Sequence, residues 1–151
     1  MRYHKLSEVF VHLVTLNIAT LAFYERSLEV TKQERARMFL NYLISKQKVR
    51  NEHLMISLRD GPIKIYEMWF DDEIDLKLLA FIEKLSLDSN LHSDKMLITL
   101  IEVNEKIEMW LKSISPLILN SYAKEYLDDL INYLHKENQQ VMYSVQRMDE
   151  I

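Results

Sequence analysis

The run of sixteen residues from Val9 to Tyr24, VFVHLVTLNIATLAFY, carries no formal charge and is bounded by Glu8 and Glu25. An amphipathic surface helix needs only one apolar stripe, with polar residues on its other faces. In this run apolar residues occur on all sides of the helix, so one core cannot cover them. We therefore predict a helix that either lies centrally among other helices or packs its outer face on a second protein.

The outer face of this helix is the predicted site of association. We expect a homodimer, with a different protein partner also possible, and the sequence leaves open whether the same residues pack within the monomer instead. The predicted interface residues lie off the stripe that faces the core, and they are Val11, Ile18, Ala19 and Phe23.

Two other interpretations of the apolar run compete with this one. A transmembrane helix needs about 20 apolar residues, whereas this run is shorter and holds His12 and Asn17. A secretory signal is suggested by Arg2 and Lys5 before the run and by small residues near its end, but Glu8 interrupts that pattern. We predict a cytoplasmic protein without a membrane partner, and export stays as the alternative.

Composition limits the rest of the fold. A chain of 151 residues is the length of one typical domain, so we assign residues 1–151 to a single domain. There is no cysteine, which excludes disulfides and thiolate metal sites. The formal charge is −4 with basic and acidic residues interspersed, which predicts no nucleic-acid partner. One glycine and two prolines favour helices over a sheet, which needs more turn residues.

Helix boundaries predict two hairpins. The first helix spans about 7–29, and Thr31 with Glu34 matches a capping box that opens a second helix after a very short turn. Gly61-Pro62 ends the second helix. A crossover with a short helix follows, after which Ser93-Asp94 and Ser115-Pro116 mark the starts of two further helices. We predict an all-α fold, an antiparallel four-helix bundle in which a long crossover joins two helical hairpins.

This order of helices resembles the ferritin-like family, which includes rubrerythrins and bacterioferritins. The resemblance covers nearly the whole chain. It implies a centre with two irons, bound by one Glu on each of the first and third long helices and by Glu-x-x-His on each of the second and fourth. In that family the single Glu and the Glu-x-x-His lie some thirty-odd residues apart in each hairpin.

This chain departs from the family's ligand set. Measured from the mid-helix residues Asn17 and Asn104, the family spacing leads to positions at which only His53 and Glu137 keep a suitable ligand type. Arg50 brings a permanent positive charge, and a guanidinium cannot bind a metal. The six positions read Asn17, Arg50, His53, Asn104, Glu137 and Gln140.

A second alignment uses the carboxylates of the predicted third long helix, Glu102, Glu105 and Glu108, which resemble the acidic third helix of rubrerythrins. The apolar stripe of that helix, which includes Val103 and Ile107, turns Glu102 and Glu105 to the opposite, solvated side. We therefore predict that these two carboxylates face water.

The sequence thus predicts a ferritin-like bundle that has lost its metal centre. Amides, with an Arg50–Glu137 ion pair, would form a polar layer in the core in its place. We expect no cofactor and a non-catalytic protein that acts by association. The alternative is an iron- or peroxide-handling protein with an altered site, for which His53 and Glu137 are the remaining ligands. The predicted polar layer consists of Asn17, Gln47, Arg50, Asn104 and Glu137.

Overall fold

The computed structural model describes residues 3–71, 76–85 and 93–149. The chain is mostly α-helical, as the sequence predicted. Four long helices contribute to one hydrophobic core, whose fully buried members include Leu13, Phe39, Leu111 and Leu127. The long helices are α1 (Leu6–Val30), α2 (Glu34–Asp60), α5 (Ser93–Ile114) and α6 (Ser121–Asp149).

Helices α1 and α2 form a hairpin with a turn of three residues. The predicted capping box is wrong, because Gln33 rather than Thr31 occupies the N-cap position of α2. The backbone N–H and the side-chain hydroxyl of Thr31 both donate to the carbonyl of Ser27. Thr31 therefore closes the end of α1 and does not open α2.

Helix α2 ends at Asp60, with Gly61 as its C-cap, as predicted. The backbone conformation of Gly61 does not require a glycine, because any residue can adopt its φ of −75°. Close packing requires it instead. A Cβ at this position would collide with the carbonyl oxygen of Ser57 and with the Tyr66 hydroxyl. Gly61 thus allows the chain after α2 to fold back tightly against it.

The connection after α2 contains more than the predicted short helix. It holds α3 (Ile63–Tyr66), β2 (Trp69–Asp71) and α4 (Lys77–Lys84). Strand β2 pairs antiparallel with β1 (Tyr3–Lys5), so the chain has a two-stranded sheet that the all-α prediction lacked. The backbone N–H of Leu6, the first residue of α1, also donates to the carbonyl of Met68 at 2.9 Å. These bonds fix the connection to the start of α1.

Helix α4 packs against α1. Its residue Ile82 is fully buried, and the Arg26 guanidinium of α1 donates to the carbonyl of Leu85 at 3.3 Å. The sequence left open whether the second apolar side of α1 is covered within the monomer. Helix α4 covers part of that side.

Helices α5 and α6 pack on each other and are joined through a short 3₁₀ turn, Ser115–Leu117. The predicted helix start at Pro116 is therefore only this turn. Helix α6 is capped by Asn120, whose side-chain oxygen accepts the backbone N–H groups of Tyr122 and Ala123 at 3.0 and 3.1 Å.

Helix α1 is long and apolar enough to span a membrane by length and composition. Half of its most apolar 18-residue window is buried within the protein. A buried core helix and a signal sequence meet the same criterion, so this property is weak evidence for any of the three.

Candidate functional site

Arg50 lies at the centre of a buried polar network. It is on the inward face of α2, with only 5% of its surface exposed. Its Nε and Nη2 atoms donate to the same carboxylate oxygen of Glu137 on α6, at 3.3 and 3.0 Å. The structure therefore brings Arg50 and Glu137 together as an ion pair between two long helices.

Two asparagines share the guanidinium with Glu137. Nη1 of Arg50 donates to the Asn104 side-chain oxygen at 3.0 Å, and Nη2 reaches the Asn138 oxygen at 3.4 Å. The Asn104 amide in turn donates to the Tyr24 hydroxyl at 2.8 Å. Because Tyr24 is on α1 and Asn104 on α5, the network links all four long helices. We call these residues, Tyr24, Arg50, Asn104, Glu137 and Asn138, the arginine cluster.

A second group of buried amides joins α1 to α2. Nε2 of Gln47 donates to the side-chain oxygens of Asn17 at 2.8 Å and of Asn51 at 3.0 Å. Asn17 donates to the carbonyl of Leu13 at 3.0 Å, and Asn51 reaches the carbonyl of Asn17 at 3.4 Å. We call Asn17, Gln47 and Asn51 the amide cluster.

The predicted polar layer is therefore divided between these two clusters. Asn104 bonds to Arg50 and Tyr24 rather than to the amides of the first hairpin. Sequence analysis did not assign Tyr24, Asn51 or Asn138 to the layer. The signal for the two asparagines was their place on the inward seams, Asn51 one helical turn after Gln47 and Asn138 four residues after Leu134.

The electrostatics of the arginine cluster favour an ionised Glu137. Burial alone would raise the pKa of this carboxyl, but a hydrogen bond from Tyr133 and the Arg50 guanidinium outweigh burial and lower the pKa. Burial raises the pKa of Tyr24 to about 12, against the opposing effect of Arg50. Burial and the Glu137 carboxylate likewise raise the pKa of Tyr133 to about 12. Both hydroxyls thus stay protonated near neutral pH and serve as donors.

The chemistry of this centre is structural. Each fully buried side-chain nitrogen and oxygen of the two clusters has a hydrogen-bond partner. The guanidinium keeps its proton at any physiological pH, and it cannot act as a metal ligand. The arrangement can therefore hold four helices in one register, and it presents neither a free base nor a free nucleophile.

The two possible metal ligands lie in different surroundings. His53 is exposed on α2 beside a cleft, whereas Glu137 is bound by Arg50. Gln140, at another family ligand position, accepts a hydrogen bond from Lys46 at 3.0 Å. Among the residues that the structure describes, no group of three or more His, Cys, Asp or Glu side chains is placed to hold a metal ion.

A further buried carboxylate lies on α5. Glu102 and Glu105 are exposed, as predicted, but Glu108 is only 8% exposed. Its two oxygens accept from Nδ1 of His135 and from Nζ of Lys112, both at 3.0 Å. Sequence analysis missed this cluster, although Glu108 lies one helical turn after Asn104 on the inward side.

The four residues predicted for the interface differ in their exposure. Val11 and Ile18 are 52% and 53% exposed, and Ala19 is partly buried against the core. Phe23 was wrongly assigned, because its side chain is fully buried. Helix α4 packs on α1 and covers part of its second apolar side, and the Phe23 ring lies beside that of Tyr24, at 6.0 Å between centroids.

Comparisons of the chain with protein-family models, curated proteins and solved structures found no match. The functional assignment therefore depends on the chemistry of the two clusters and on the exposed face of α1.

Proposed function

We propose that this protein is a non-catalytic four-helix bundle of ferritin-like shape that acts by self-association. The shape is supported by two pairs of long helices, α1 with α2 and α5 with α6, and by the connection between them that contains a short helix. We also propose a cytoplasmic location, because half of the apolar window of α1 is already buried in the fold.

In this proposal the arginine cluster stands where ferritin-like proteins bind metal. A guanidinium supplies the positive charge that two cations would supply, and Glu137 keeps its charge by pairing with it. Desolvation makes such a pair weak evidence for extra stability. Its proposed value is specificity, since donors and acceptors from four helices are satisfied in one arrangement only.

The observation that carries the association proposal is the outer face of α1. Val11 and Ile18 are each more than half exposed within a run that has no charge from Val9 to Tyr24. With Thr15 and Ala22 they are spaced by four, three and four residues, which is the spacing of a coiled-coil seam. The seam consists of Val11, Thr15, Ile18 and Ala22.

The chemistry of this seam fits a second copy of the same chain. A two-fold interface places one surface against itself, so a neutral seam avoids like-charge repulsion. The Thr15 hydroxyl already donates to the carbonyl of Val11 at 3.1 Å, and burying it would break no hydrogen bond within the chain. Ala22 in the seam and Ala19 beside it would let two helices approach closely.

Sedimentation velocity at micromolar concentration tests the proposal. We expect a dimer for the wild type and a monomer for Ile18→Glu, because a two-fold axis places two buried carboxylates near each other. The control is Met109→Glu, which adds the same charge at an exposed methionine of α5, 67% exposed, and should remain dimeric. A monomeric wild type, or a dimeric Ile18→Glu variant, would contradict the proposal.

The metal-binding alternative has a separate test. Elemental analysis of protein purified from iron-supplemented cells should find no stoichiometric iron. One or two irons per chain would instead support the altered di-iron protein.

A further inference from the structure

A cleft opens between α2 and α6, directly below the arginine cluster. Its volume is about 330 Å³, at the lower end of the range for small-ligand sites. Its apolar lining includes Phe10 and Leu54, which are buried residues of α1 and α2. Its lining also contains one imidazole, that of His53 on α2, and one carboxylate, that of Asp129 on α6.

The cleft begins where a series of polar contacts between α2 and α6 ends. Three successive turns of α2 each bond to α6, and the last is the Arg50–Glu137 pair. Beyond this pair, the His53 side chain lies on the next turn of α2 and the Asp129 side chain lies two turns before Glu137 on α6. Neither side chain has a hydrogen bond or an ion pair to any residue within 3–71, 76–85 and 93–149. The imidazole of His53 and the carboxylate of Asp129 are thus unpaired, whereas the three preceding turns of α2 are each bonded to α6. The two preceding contacts are Tyr42 with Ser144 at 3.2 Å and Lys46 with Gln140 at 3.0 Å.

The wall of the cleft is held in place before any ligand binds. The Tyr66 hydroxyl donates to the carbonyl of Ser57 at 2.5 Å, so Tyr126 must be the donor in its 2.8 Å bond to Tyr66. The Tyr126 ring also packs on Phe10, with 5.7 Å between centroids. On the other side, the Tyr133 hydroxyl bonds to Glu137. Both tyrosines that line the cleft therefore have hydroxyls committed to the protein.

We propose that this cleft binds a small organic cation with an apolar ring, such as an arylalkylamine, whose ammonium group is separated from the ring by a short carbon chain. The apolar floor takes the ring, and the Asp129 carboxylate pairs with the ammonium group. Tyr126 and Tyr133 add aromatic faces, which attract cations. An organic anion would meet Asp129 with like charge. The site shares no residue with the α1 seam, so this inference stands independently of the association proposal.

The test is an NMR titration of the ¹⁵N-labelled full chain with 2-phenylethylamine, and with 3-phenylpropanoate as the anionic counterpart. The amine should shift the backbone amides of Leu54, Ser57 and Leu130 saturably, and the carboxylate should not. Asp129→Asn should weaken amine binding about threefold to fivefold, the upper part of the range for an exposed ion pair.

The control Glu105→Gln removes the same charge from an exposed position on α5 and should bind as the wild type does. Both positions are exposed, so neither substitution threatens the fold. The proposal fails if the amine gives no saturable shift up to about 10 mM, tenfold above a millimolar Kd. It also fails if both ligands bind equally well or if Asp129→Asn binds the amine unchanged.

Discussion

Replacing Arg50 by alanine removes the only cation that contacts the Glu137 carboxylate in the part of the chain that the structure describes. The substitution also takes a donor from the side-chain oxygens of Asn104 and Asn138. Arg50→Ala therefore leaves one charged and two neutral acceptors without their partner in the core.

The size of the effect follows from the exposure of these groups. Removing one partner of a fully buried ion pair costs about 3–5 kcal/mol. The Glu137 side chain is 17% exposed and also accepts a hydrogen bond from Tyr133. We therefore expect the loss of stability to lie near the lower end of that range. About 3 kcal/mol lowers the melting temperature of a chain of this length by about 6–12 °C, since each kcal/mol corresponds to about 2–4 °C.

Thermal unfolding followed by circular dichroism gives the measurement. The control is Arg35→Ala, the same substitution at an exposed position of α2, which should change stability by less than about 0.5 kcal/mol. The double variant Arg50→Met/Glu137→Leu should lose less than Arg50→Ala, because no unpaired charge remains. An Arg50→Ala midpoint equal to that of Arg35→Ala would refute the buried pair, and Arg50 would then reach water instead.

Three further predictions follow from single residues. The pKa of Glu137 lies below its ordinary value of 4.5, so its stabilisation is present at neutral pH and lost as the pH falls through that lowered pKa; Glu137→Gln should flatten the loss of stability on acidification below pH 4.5 in acid titrations. Phe23→Ala should lower the free energy of unfolding by about 3–5 kcal/mol in denaturant unfolding, as for a buried aromatic residue. A loss below about 1 kcal/mol would show that the Phe23 side chain lies at the surface. Asn120→Ala should cost about 1 kcal/mol through the lost cap of α6, whereas an unchanged midpoint would show that the cap contributes nothing.

The long helices could be predicted because their signals are local and repeated. The uncharged run of α1 and the Gly61-Pro62 terminator placed the first hairpin within one or two residues of its observed bounds. Inward polar residues also stood out against apolar seams. The ligand spacing of the family that the chain resembles led from Asn17 and Asn104 to Arg50 and Glu137, and so their meeting could be anticipated.

Features set by tertiary contacts could not be predicted in this way. Strands of three residues are too short for an alternating pattern, and β1 pairs with β2 across more than sixty residues. Thr31 matched a cap motif, but the tight turn placed it at the end of α1. Phe23 was assigned to an outer apolar face of α1, but its side chain is fully buried in the folded chain. The strand pairing depends on a segment that is distant in sequence, and the position of Thr31 depends on the turn between α1 and α2.

The most direct test of the buried arginine centre is NMR observation of the Arg50 Nε–H group, assigned by its loss in Arg50→Lys. We predict slow exchange of this proton with water and nuclear Overhauser contacts from it to the α6 side chains around Glu137. Exchange as fast as that of the exposed Arg35, without such contacts, would contradict the account.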